Sequence, residues 1–202
     1  MKIIVPSEFR KHNVQRSTQC FDCDPMTVTP RRWALHMCGE IGEFINVEGK
    51  LASGRWRNKF SLKSEFDLKH ELRAEASDVV TYLDLWLFRR GLAPIEEGDL
   101  GEVWRELELE RTEEVGNHGS NGVSAAVLIR ISSRLLMIHE DSFVAALDGC
   151  VRCAAGIHLL LREILGAYDA GSLDTAIAEK FWAISGRVGY TGDEGILKEK
   201  GT

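Results

Sequence analysis

The chain reads as an all-α protein, a bundle of about five to six helices. Long segments carry apolar residues at spacings of three and four, several of them open on an N-cap residue or close on glycine, and no segment alternates like a strand. With 202 residues and 44% hydrophobic content, the chain can bury a real core and fits one large domain or two small ones.

Taken in order, residues 1–28 are mixed and polar, with FDCDP as a turn signal, and predict an extended N-terminal arm. Thr29 before Pro30 predicts an N-cap with proline at the first helical position. From there RRWALHMCGEIGEFINVEGKL keeps helical period, with Trp33, Met37, Ile41 and Phe44 on one stripe, and ends near Gly54. A basic linker, SGRWRNKFSLKSEF, leads to a second helix starting at Glu65 or Asp67 and running to Arg90, with Leu72, Val79, Tyr82, Leu83, Trp86 and Leu87 on its apolar face. The two helices predict an antiparallel hairpin over 29–92.

GLAPIEEGDLGE breaks the pattern and opens an acidic connecting segment, 93–120, with a helix from roughly Leu100 to Glu114 whose charges read as a solvated face. The second half, 121–190, predicts helices from Val123 to His139, from Ser142 to Tyr168, and over GSLDTAIAEKFWAISGR, closed by Gly186 or Gly189. Residues 191–202 form a tail.

Composition narrows the function classes. A formal net charge of -6 supplies no general basic field, so a protein tracking a nucleic-acid polymer is disfavoured. MKIIVPSEFRKHN lacks the apolar run of a signal peptide, and no stretch approaches the roughly 18 apolar residues of a membrane span, so a cytoplasmic protein without a membrane partner is expected. An odd total of five cysteines suits reduced thiols. Cys20 with Cys23 and Cys150 with Cys153 each read C-x-x-C and together could make a four-thiolate zinc site. The second pair, however, lies in a long apolar helical pattern where cysteine reads as core.

Four acids stand out: Glu40 and Glu43 in GEIGEF, then Glu75 and Asp78 in LRAEASDVVTYL. A spacing of three puts both carboxylates of a pair on one helical face. Their helical neighbours are apolar (Met37, Phe44, Val47, Val79 and Tyr82), so they are expected to face a core and to need a counter-ion there. Hard divalent cations such as Mg2+ prefer carboxylate oxygens and bridge to substrate phosphates. Two facing acid pairs therefore permit metal-assisted phosphoanhydride hydrolysis.

E-x-x-E followed by E-x-x-D, as GEIGEF and AEASDVVTYL, resembles the MazG-like family of all-α nucleoside triphosphate pyrophosphohydrolases, which is related to the dimeric dUTPases. WALHMCGEIGEF is similar to the family's first motif helix, and EKFWAISGRVGY resembles its C-terminal segment, whose lysine and arginine are here Lys180 and Arg187. The resemblance covers residues from about 30 to 90 and 172 to 191. It implies cleavage of a nucleoside triphosphate, a deoxynucleotide above all, to the monophosphate and pyrophosphate with Mg2+, for which Mn2+ could substitute. Glu40, Glu43, Glu75 and Asp78 would hold the metal, one of them also serving as general base, and Lys180 and Arg187 would contact phosphates. Lys59 in the basic linker could add to this, and Trp33, Trp56 and Tyr82 could stack on a base, against the alternatives of a solvated linker and of core aromatics. A homodimer or higher homo-oligomer also follows from the resemblance.

In the family the terminal motif follows the E-x-x-D helix closely, whereas here the stretch between Asp84 and Glu179 intervenes. One reading is a degenerate internal duplication, a pseudo-dimer in which Cys153 and Gly156 stand opposite Glu75 and Asp78; the other is the similarity of any two amphipathic helices. Other motifs are weaker. His70 in DLKHE has an acid-x-x-His spacing, but a di-iron bundle needs that motif twice. His12, His36 and His118 read as surface or partly satisfied residues, and neither a P-loop nor a His-Glu-x-x-His pair occurs. The rival to an enzyme is a catalytically silent helical module that binds nucleotide or a protein, its acids paired with Arg73, Lys69 or Arg55.

Overall fold

The computed structural model describes residues 5–54, 63–101, 103–105, 107, 123–137 and 145–190. Among these the structure is an α-helical bundle without strands. Its helices are α1 (Pro6–Phe21), α2 (Pro30–Ala52), α3 (Glu65–Arg89), α4 (Val123–Met137), α5 (Ala145–Ala167) and α6 (Leu173–Arg187). Residues 97–101 and 103–105 are also helical and bring Leu100 and Val103 into the core. The rest of the expected acidic helix, to Glu114, lies outside the described residues.

The helix boundaries follow local chemistry. Thr29 caps α2, its hydroxyl accepting from the Arg32 amide at 3.3 Å, with Pro30 where no amide donor is needed. Ser64 and Asp67 form a reciprocal capping box on α3, with contacts of 3.1 and 2.9 Å. Ser172 caps α6, and Gly189 follows it at φ 69°, a left-handed conformation that glycine adopts without steric cost.

The extended arm expected over residues 1–28 is corrected by α1, which opens at Pro6 and closes at Asp22 in the left-handed region. Its inward face is polar: His12, Asn13, Arg16 and Ser17 are buried beside Phe9, so no apolar stripe announces the helix. Ser17 donates to the Cys23 carbonyl just beyond the helix, and the other inward polar groups reach other parts of the fold. Arg10 Nε meets Asp84 at 2.6 Å, and Asn13 donates to the Thr81 carbonyl at 3.1 Å and to Asp84 at 3.2 Å. His12 and the Tyr190 hydroxyl share a hydrogen bond of 2.9 Å.

α2 and α3 form the main seam, and Trp33, Met37, Ile41 and Phe44 are buried along it as their spacing predicts. Trp33 and His36 meet Tyr82, while Glu40 and Glu43 gather with Glu75, so the helices run antiparallel. α4 pairs with α5, α2 also touches α4, and α3 also touches α5 and α6. α6 crosses α3 through Arg73, which pairs with Glu179 and lies 3.6 Å from where a side chain on Gly171 would sit. No described helix is long and apolar enough to cross a membrane.

The Arg10–Asp84 pair ties α1 to α3 with side chains only 11% and 7% exposed. Burial pushes the Asp84 carboxyl upward and Arg10 opposes it. Removing the cation leaves a buried carboxylate short of its main partner, so Arg10→Ala should lower the unfolding free energy by roughly 3 kcal/mol. Urea unfolding reads this out, and a loss below about 1 kcal/mol, the range of exposed pairs, would show that the contact is not structural.

Candidate functional site

α2 and α3 present their acids at one level of the seam. Carboxylate oxygens of Glu40, Glu43 and Glu75 lie within 4.8 Å of one another. Glu40 and Glu75 are half-buried and Glu43 is exposed, so the expectation that the acids face the core is corrected: they flank it, one position off the buried stripe. Among the described residues none of the three forms an ion pair, and no second group of three or more Asp, Glu, His or Cys ligand atoms comes this close. The two C-x-x-C pairs therefore do not assemble a four-thiolate site.

Asp78, the fourth expected ligand, is not one of this trio, although it is the acid that acts most strongly on Glu40 and Glu75. One turn along α3, its carboxylate is 2.7 Å from Lys180 Nζ of α6. Lys69 pairs instead with Glu65 and Arg73 with Glu179, so these two cations do not neutralise the acid cluster.

Next to the cluster lies a cavity of about 600 Å³, with Glu40 and Asp78 in its wall. Trp33, His36 and Tyr82 form an aromatic side, where His36 and Tyr82 stack at 5.4 Å between ring centres. Trp33 is fixed from behind, its indole donating to the Pro25 carbonyl at 3.2 Å. Lys180 and Arg187 of α6 line the cavity, as does Tyr82, so three of the expected substrate contacts come together. The other two, Lys59 and Trp56, lie outside the described residues.

The sequence reading missed α1's share of this wall: Asn13, Arg16, Ser17 and Phe21, joined by Arg32 and His36 of α2. The signal available was a polar stripe at positions 13, 16 and 17, which has helical spacing but no apolar content.

Crowding shapes the charges. Burial, then Asp78, Glu43 and Glu75, push the Glu40 carboxyl up to about 7, with Lys180 opposing. Burial and Asp78 raise Glu75 as well. Mutually repelling carboxylates with no nitrogen or sulfur donor among them suit a hard cation such as Mg2+, which would relieve the repulsion. The cavity volume is in the range of small-molecule and cofactor sites.

Comparison with protein-family profiles, curated proteins and solved structures finds no match to the chain.

Glu40 binds its proton more tightly folded than unfolded, so its contribution to stability is full below about pH 4.5, its ordinary value, and is lost as pH rises through about 7. Without divalent cations, the melting temperature of the wild type should therefore fall relative to Glu40→Gln across that window. Added Mg2+ should bind more tightly as pH rises through about 7. A difference between the two proteins that stays flat with pH would refute the assignment.

Proposed function

We propose that the protein is a Mg2+-dependent nucleoside triphosphate pyrophosphohydrolase of the MazG-like type, releasing a nucleoside monophosphate and pyrophosphate. One observation carries this: through Glu40 the three-glutamate cluster adjoins a cavity lined both by the aromatic rings of Trp33, His36 and Tyr82 and by the cations Lys180, Arg187 and Arg16. A base needs the first surface and a polyphosphate the second.

Glu40, Glu43 and Glu75 would hold the ion, which when bound neutralises phosphate oxygens and acidifies a nearby water. Lys180 holds one oxygen of Asp78, which leaves the other for the ion, and a phosphate offers Lys180 an alternative partner. Glu40 belongs both to the cluster and to the cavity wall, so it is the acid best placed to orient the attacking water and accept its proton. The new bond joins that water's oxygen to the α-phosphorus. The bond to the bridging oxygen breaks, and pyrophosphate leaves toward Lys180 and Arg187.

In the same reading the second half is a degenerate copy that serves as scaffold. The pairings α2 with α3, α4 with α5, α2 with α4 and α3 with α5 are those a doubled hairpin would generate. At Gly156, opposite Asp78 in that alignment, an added Cβ would lie 3.3 Å from Ile131 Cδ1, a close approach that supports a packing role. A silent nucleotide-binding module is the second reading, favoured by one contact: Asp78 is already neutralised by Lys180.

Incubation with each dNTP and Mg2+, followed by anion-exchange separation, should yield monophosphate and pyrophosphate in equal amounts. Glu43→Gln and Glu75→Gln should each slow turnover by about a hundredfold or more, the scale of a lost electrostatic group in catalysis. Mg2+ should raise the melting temperature of the wild type by mass action and that of Glu75→Gln much less. Nucleotide binding without turnover would favour the silent module instead.

A further inference from the structure

Resting on the nucleotide reading of the cavity, we propose that Arg16 of α1 is a substrate-binding residue that grips the phosphate adjoining the nucleoside. It is only 3% exposed, yet it lines the cavity. A buried guanidinium must be held, and this one is held from behind. Nη1 donates to the Phe181 carbonyl and Nη2 to Asn13 Oδ1, each at 3.3 Å, and the guanidinium carbon lies 4.3 Å from the centre of the Phe181 ring. Asn13 is itself fixed by Thr81 and Asp84. A guanidinium carries five N–H donors in a rigid fork, so those two bonds leave donors for a ligand at little entropic cost.

The local charge count favours an anion. Asp78 is the strongest opposite charge acting on Arg16, and the same carboxylate is already bound to Lys180 at 2.7 Å. Two cations thus share one carboxylate. Burial lowers the Arg16 guanidinium to about 10, which still leaves it protonated at neutral pH.

Position selects the phosphate. Arg16 is held by the carbonyl of Phe181, next to Lys180, and by Asn13, which is bonded to the carbonyl of Thr81, next to Tyr82, and this places it between the cation offered to the polyphosphate and the ring offered to the base. A monophosphate product would keep this contact, whereas pyrophosphate would not use it. A residue that merely stapled α1 to α6 would not discriminate between them.

Calorimetric titration with dAMP, dCMP, dGMP and dTMP without metal, and with pyrophosphate plus Mg2+, provides the test. Arg16→Gln should weaken the monophosphate that the wild type binds best by roughly tenfold or more, and Arg16→Lys, which keeps the charge but loses the fork, by less. Pyrophosphate affinity should stay within about twofold. Equal weakening of both ligands, or of neither, overturns the proposal. Should the variants not fold, the Arg16 Nε–H resonance of 15N-arginine-labelled wild type should shift with monophosphate and not with pyrophosphate; an unmoved resonance overturns it. A wild type that binds pyrophosphate with Mg2+ but no monophosphate sinks the role of Arg16 alone, whereas one that binds no phosphate ligand sinks the nucleotide reading beneath it.

Discussion

Along the seam of α2 and α3, the turn of α2 that holds Trp33 and His36 meets Tyr82, and the turns that hold Glu40 and Glu43 meet Glu75. Antiparallel packing admits one register at which the apolar stripes interdigitate, and that register also fixes which polar residues face one another beside the stripes. Core and site are therefore set by the same alignment. Sliding one helix by a turn would bury Phe44 against the wrong partners and separate the glutamates at the same time. The cost of holding three carboxylates together is met by the packing beneath them, where Met37, Ile41, Phe44, Leu72, Ala76 and Val79 are almost wholly buried.

How much of this was legible depended on the kind of residue that faces inward. The apolar stripe of α2, the Thr29 cap and the start of α3 at Glu65 follow from local spacing, and the structure has them where spacing puts them. The cluster of Glu40, Glu43 and Glu75 was legible because two i, i+3 pairs on adjacent antiparallel helices can face each other at one level. α1 was not legible, since its buried face consists of histidine, asparagine, arginine and serine, and periodicity arguments weigh hydrocarbon. The attachment of Asp78 to Lys180 was hidden for another reason: it depends on how α6 crosses α3, a long-range matter that local pattern does not encode.

Electrostatics divides the cavity into zones. Acidic side chains collect at the α2/α3 seam, cations arrive from α1, α6 and the first turn of α2, and aromatic rings close the side between Trp33 and Tyr82. α2 alone contributes a cation, Arg32, an aromatic ring, Trp33, and an acid, Glu40. α6 shows the economy of this arrangement: Phe181 packs edge-on against Phe9 and lends its ring to Arg16, while its neighbour Lys180 reaches Asp78. One short helix thereby joins the hydrophobic interior to the charged wall.

The partners that hold α1 are far away along the chain, at separations of 165 residues for Arg16 and Phe181 and 178 for His12 and Tyr190. During synthesis α1 precedes α3 and α6, so it can dock on α3 through Arg10 and Asn13 before Arg16 and His12 find their partners in the later segment. The wall built from α1 and α6 closes only when both helices are available. A nascent or truncated chain that had already paired α2 with α3 would display the glutamates on an open groove without Lys180 opposite them. Assembly order thus acts as a check on completeness.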